Sequence, residues 1–412
     1  MRARAAGGEK PGKRSRAALV CAGGGITGAV YEIGCLRALE DLLDRSVLDF
    51  DLYVGVSGGA FVSALLAGGV SPREMYDEVA AVASSPFGIA PPTLFRLGPG
   101  EFVRRSLRGP RVLADALGRT LQGKSSGISD VALSLFELLP AGLLDNSGIQ
   151  EYLANVFRSR GRRDTFRDLG RELYVVAVDL DSGDAVPFGE PTAPEVPVSR
   201  AVQASTAMPG LYRPVRIAGR DYLDGGVKKT AHINLAIKHG AELVVCINPI
   251  VPILNDGVLN GHLSGKGITY VLDQALRIML HGRMQYGLER YRSEHPDVDI
   301  LVVQPTRDDM RMFRYNIMRY SARKVVAEHG YRSLLASFRQ NRRAYGRLLG
   351  RHGIRLEDPR GLPELPHPHA YRSAVGRTLS GSLDVLGSRL RGGTSPRRSR
   401  RGAGRAARKA AR

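Results

Sequence analysis

Gly55-Val56-Ser57-Gly58-Gly59 sets one serine among glycines in the pattern Gly-x-Ser-x-Gly. The apolar run Asp51–Val56 precedes it and a second apolar run, to Ala67, follows. A sharp strand-to-helix turn of this kind lifts a serine hydroxyl out of the sheet edge, and small neighbours relieve the crowding around it. The following helix aims its first N–H groups and positive dipole end at the same place. Ser57 is therefore a candidate nucleophile for an acyl carbon. Two other stretches could complete such a site. Gly23-Gly24-Gly25-Ile26-Thr27-Gly28 offers successive N–H groups able to close around a negative oxygen. Asp224-Gly225-Gly226 offers a carboxylate at the end of a hairpin.

Each stretch alone has a rival reading. Gly23, Gly25 and Gly28 also fit a dinucleotide fingerprint, with Asp49 or Asp51 as the acid some twenty residues on. A phosphate loop is a poorer fit, because the Gly-Lys-Ser/Thr ending is missing. Asp-Gly is an ordinary turn pair. The elbow serine favours acyl chemistry, since a dinucleotide site has no use for it. A Ser-Asp-His triad could draw on His232 or His239. A two-residue site is the other option, with Asp224 taking the Ser57 proton itself. A solvated aspartate is a weak base, and burial would make it a better one.

Elements must position these residues. Ala17–Ala22 reads as a buried strand, and apolar Val30, Ile33, Leu36, Leu39 and Leu43 give helical spacing. Strand, glycine loop, helix, strand, elbow and helix make an α/β start with a parallel sheet. Residues 72–148 are Pro- and Gly-rich with short amphipathic pieces, Val112–Leu121 and Val131–Leu139 among them. They read as a helical insertion over the sheet that could serve as a lid. Ile149–Phe157 predicts a helix, Leu173–Leu180 a central parallel strand, and Val198–Met208 a helix. Val215–Ile217 and Asp221–Leu223 predict a hairpin, Glu242–Ile247 and Asp299–Val303 strands, and Gly267–Arg292 a long helix. Met310–Tyr345 is largely helical, and periodicity fades after Gly350.

The 412 residues are 43% hydrophobic and 24% charged, which is ordinary for a globular chain. The formal charge of +20 is not ordinary. Met1–Arg16 carries +5 and Arg389–Arg412 carries +10, so the excess sits in two arms expected to be disordered. Such arms suit an anionic surface, a phospholipid headgroup layer first, and point to no specific nucleic-acid partner. Cys21, Cys35 and Cys246 form no framework and are expected as buried thiols in a reducing compartment. No secretory signal and no apolar run of membrane-spanning length is evident. A cytoplasmic protein, soluble or peripheral at a membrane, is the expectation.

The order Gly-Gly-Gly-x-x-Gly, Gly-x-Ser-x-Gly, Asp-Gly-Gly resembles the patatin-like phospholipases. So do Ala204–Val215, leading into Gly219–Gly226, and Val178–Gly183. The resemblance covers roughly residues 17–240. It implies a three-layer α/β/α sandwich with a mainly parallel sheet and a Ser57–Asp224 dyad. It also implies an oxyanion hole from the N–H groups of Gly23, Gly24 and Gly25, with Gly28, Gly55, Gly58, Gly59, Gly225 and Gly226 as motif glycines. Acyl esters of lipids or phospholipids would be hydrolysed without metal or cofactor, leaving His232 a bystander. Many members carry Arg or Lys where this chain has Thr27. The expected organisation is a basic arm at 1–16, a catalytic core at 17–240, a strand-helix extension at 241–350 and a basic tail at 351–412 with a short helix at Ser382–Leu390. An acyltransferase, or a non-catalytic lipid- or nucleic-acid-binding protein on a hydrolase fold, is the alternative.

Overall fold

The computed structural model describes residues 15–80, 94, 96–97, 141–255, 261–306 and 320–358. Residues 1–14 and 359–412 of the basic arms, most of the 72–148 insertion and the Ser382–Leu390 helix lie outside the described residues.

The first half runs β1 (Ala17–Cys21), α1 (Gly25–Leu42), β2 (Leu52–Val56), α2 (Gly58–Ala67), α3 (Pro72–Ala80), β3 (Arg96–Leu97), β4 (Gly142–Asp145), α4 (Ser147–Ser159) and β5 (Glu172–Asp179). Then come β6 (Ala185–Phe188), α5 (Val198–Ser205), β7 (Gly210–Tyr212), β8 (Val215–Ile217), β9 (Arg220–Asp224) and α6 (Ile233–Lys238). The chain continues as β10 (Leu243–Ile247), α7 (Ile268–Glu294), β11 (Asp299–Val303), α8 (Arg323–Gln340) and α9 (Arg342–Arg351).

β1, β2 and β10 are buried at every position, as strands covered on both faces must be. Parallel pairing joins β11, β10, β1, β2 and β5 in that order. On one face Val20, Val54, Val56, Val176 and Val244 pack with Ile233 of α6 and with Met284 and Leu288 of α7. The alternating residue Gly55 faces the other way, onto Ala60 of α2. On that side α2 and α5 pack on the sheet, and α1 packs against α2, α3 and α8. The result is an α/β/α sandwich with a mostly parallel sheet.

β5 is where the sheet changes direction. β2 pairs with Glu172–Val176, β6 with Val175–Val178 and β9 with Ala177–Asp179. The overlap of β6 with both of the others puts it on one edge of β5 and leaves β2 and β9 end to end on the opposite edge. β5 is thus parallel to β2 but antiparallel to β6 and β9, a mixed setting that its continuous apolar run does not reveal. The β8–β9 hairpin turns through Ala218 and Gly219, both at positive φ (47° and 82°), as a tight two-residue turn requires.

Of the boundaries that differ from the sequence reading, three are instructive. α1 begins at Gly25, inside the glycine loop. α5 stops at Ser205 rather than Met208, ahead of Pro209, which cannot follow in a helix. Beyond Gly350 the chain stays structured through residue 358. There Ile354 is fully buried and Glu357 N–H donates to Leu42 O (2.8 Å). No helix among the described residues is long and apolar enough to cross a membrane.

Candidate active site

β2 delivers its chain at Val56 opposite Val176 of β5, and β9 delivers its chain, from the other direction, at Asp224 opposite Ala177. The two strand ends meet head to head, so Ser57 and Asp224 become neighbours although far apart in sequence. The Ser57 hydroxyl lies near enough to the Asp224 carboxylate to ease its ionisation. Both residues are 5% exposed. Burial dominates, however, and pushes the Asp224 carboxyl up from 3.8 to about 6. Gly226 N–H donates to its Oδ1 (2.8 Å), fixing the side chain across the turn.

Ser57 sits at φ 53° and ψ −126°, a strained setting for a residue with a Cβ. The surroundings hold it there. Its N–H donates to Ser205 Oγ (2.9 Å), and the Ser205 hydroxyl donates to Val176 O (2.6 Å). Ala60 N–H closes the first turn of α2 on Ser57 O (2.9 Å). Ser205, at the end of α5, therefore bridges the gap where β2 stops pairing with β5. Sequence reasoning missed it, although it lies within the Ala204–Val215 stretch that carries the family resemblance.

The glycines follow from close backbone approach. A Cβ on Gly59 would lie 2.3 Å from Cys21 O, one on Gly58 2.4 Å from Gly25 O, and one on Gly225 2.2 Å from Val176 O. Gly24 and Gly28 make room for the Pro249 ring, and Gly28 N–H donates to Gly24 O (2.9 Å). The contact between Gly58 and Gly25 brings the first turns of α2 and α1 together beside Ser57. Two helix amino ends, each with N–H groups that no helical carbonyl can take, converge there.

One expected donor is committed elsewhere. Gly23 N–H donates to Thr230 O (2.9 Å), which ties the glycine loop to the segment after Asp224. Gly24 and Gly25 remain from the expected set, and Gly58 joins them, since Gly25, Ser57 and Gly58 line one cavity. The rest of that cavity is mainly apolar. Ile26, Val30 and Ile33 reach it from α1, Phe61 from α2, Ile149 from α4, and Met208 and Tyr212 from around β7. Val30 and Ile33, which the helical spacing marks as core, thus form a wall of the cavity. Glu78, Tyr320 and Arg323 add polar groups to its lining.

The histidines fall away from this geometry. His232 is buried just behind the Asp224 turn, against the Gly225 backbone, and burial lowers it to about 3, so it is neutral. His239 stacks on Tyr174 (4.2 Å) and bonds to Glu190 (2.9 Å). Its carbonyl accepts from Arg16, which precedes β1, so it stands at the end of the sheet opposite Ser57. Thr27 is buried in α1 and brings no charge. Cys21, Cys35 and Cys246 are buried free thiols, all pushed up by burial.

A family model described as patatin-like phospholipase matches residues 19–237. The chain is similar to "Probable lipid hydrolase 463L" of Invertebrate iridescent virus 6, 21% identical over 221 residues, covering 54% of this chain and 63% of that protein. It thus spans a little under two thirds of that relative's length. Among solved structures it is similar to VipD from Legionella pneumophila, with 15% identity, coverage of 84% of this chain and 68% of that one, and a TM-score of 0.36. Human GIVD cytosolic phospholipase A2 is a further similar structure, with 11% identity, coverage of 82% and 60%, and a TM-score of 0.31. With the family model matching more than half of its residues, the chain belongs to the patatin-like phospholipase family.

Proposed function

We propose that the protein is a serine lipid acyl hydrolase, of phospholipase A or esterase type, working through a Ser57–Asp224 dyad. The observation that carries this reading is the strained Ser57, set beside a buried carboxylate and opening on an apolar cavity between two helix amino ends. Asp224 takes the hydroxyl proton as Ser57 Oγ bonds to the ester carbon. The carbonyl oxygen gains the negative charge, and we assign its stabilisation to the N–H groups of Gly24, Gly25 and Gly58. Collapse expels the alcohol, which takes the proton from Asp224, and leaves an acyl-enzyme. Water then gives a proton to Asp224 and attacks the acyl carbon; the acid leaves, and the proton returns to Ser57. Apolar walls suit a hydrocarbon acyl chain and exclude water from it. The Ser57→Ala variant should lose at least about 10³-fold in turnover of a p-nitrophenyl acyl ester while keeping its melting temperature. Unchanged turnover would sink the assignment.

A further inference from the structure

α7 packs on the sheet through Met284 and Leu288, Leu280 is buried as well, and the opposite face of the helix is also apolar. Ile268 (68% exposed), Leu272 (61%), Ile278 (54%), Met279 (55%) and Tyr286 (72%) recur at helical spacing on the outside, with Val271 beside them. From Gly267 to Gly282 no exposed described residue is charged. Asp273 and Arg277 are turned in and paired with each other. An outer helix face in water is ordinarily polar, and an apolar one of this length marks an interaction surface.

The position of this face names its partner. Gln274 bonds to the backbone of Ile253, just past the carboxyl end of β10, and the helix then runs down to His295, shortly before β11 begins at Asp299. The apolar first half therefore stands at the carboxyl ends of the strands, where Ser57 and Asp224 are. Thr230 Oγ1 donates to Leu280 O (2.9 Å), and Thr230 O holds Gly23 of the glycine loop. Arg283 donates to Val227 O (2.7 Å), so the cations Arg283 and Lys228 border the same face, with the Asp184 carboxylate 3.7 Å from the Lys228 ammonium. An apolar strip with a tyrosine, edged by cations, fits the boundary between headgroups and acyl chains of an anionic bilayer.

We propose that the outer face of α7 docks on an anionic phospholipid surface and turns the Ser57 end of the sandwich toward it. The proposal rests on the lipid-hydrolase reading for its purpose, but the test does not need turnover. The full chain carrying Ser57→Ala is sedimented with phosphatidylglycerol–phosphatidylcholine vesicles at about 1 M salt, where a Debye length of about 3 Å suppresses binding by the basic arms. The same chain with Leu272→Gln, Ile278→Gln and Met279→Gln added should partition at least about tenfold more weakly. Its melting temperature should not change, since all three side chains are more than half exposed. Equal binding by the two proteins, or no binding by the parent, overturns the proposal. So does a parent dimer that the three substitutions dissociate, which would make the face an interface between copies. A large fall in melting temperature also overturns it, because the chain's own segments would then cover the face. Vesicle binding by a wild-type protein that cleaves no ester would leave docking intact and refute the hydrolase reading instead.

Discussion

Ser57 and Asp224 stand at the facing ends of two strands that share one edge of β5, with Val56 opposite Val176 and Asp224 opposite Ala177. Their closeness is thus a property of sheet register. A slip of either strand by one residue would turn its side chains to the other face and part the pair. Ser205 bolts this junction from the side, and Gly225 lets the chain pass close to Val176 O.

A carboxyl lifted from 3.8 to about 6 carries roughly 3 kcal/mol against its charged form. The unfolded chain loses this proton near pH 4 and the folded chain near pH 6. Between those values the native state binds more protons, so stability falls as pH rises through the window and stays lower above it. Asp224→Asn removes the slope and keeps an oxygen for Gly226 N–H. It should raise stability at pH 7–8 by up to roughly 3 kcal/mol while lowering kcat at least about 100-fold. Denaturant titrations at pH 4 and pH 8 read the first effect, and a difference that does not grow with pH would refute it.

Activity should depend on the same proton. With Asp224 as base, kcat/KM rises with pH and levels off above about 6. His232, lowered to about 3, does not titrate in that range. His232→Gln should therefore leave the inflection in place, whatever its buried substitution costs in melting temperature. A displaced inflection in that variant would bring the histidine back into the mechanism.

Ser205→Ala leaves Ser57 N–H and Val176 C=O unpaired in the interior. The expected cost is roughly 2–4 kcal/mol of stability. Because the elbow loses its lateral hold, kcat should fall about 10–100-fold with KM little changed. Wild-type kcat in this variant would show that α2 alone fixes the serine.

Much of this was legible in the chain. The elbow, the glycine loop and Asp224-Gly225-Gly226 are short local patterns, in which glycines mark close backbone approach whatever the partner. The strands β1, β2 and β10 announce themselves as continuous apolar runs. What escaped is long-range. Gly23 reads like its neighbours, but its N–H is taken by Thr230, a partner that only the folded loop brings near. Ser205 is one small polar residue in a helix until β2 and β9 meet beside it. Val30 and Ile33 have core spacing, and local periodicity does not distinguish a packed core from a cavity wall. The exposed half of α7 likewise reads as helix without disclosing which face lies outside.

The central claim is that Ser57 is an activated serine, and an active-site-directed fluorophosphonate tests it most directly. Intact protein treated with an alkyl fluorophosphonate at pH 8 should gain a single adduct, mapped by peptide mass spectrometry to Ser57 and lost in Ser57→Ala. Labelling of Asp224→Asn should be strongly slowed. No adduct on folded wild-type protein, or an adduct on another residue, would contradict the account.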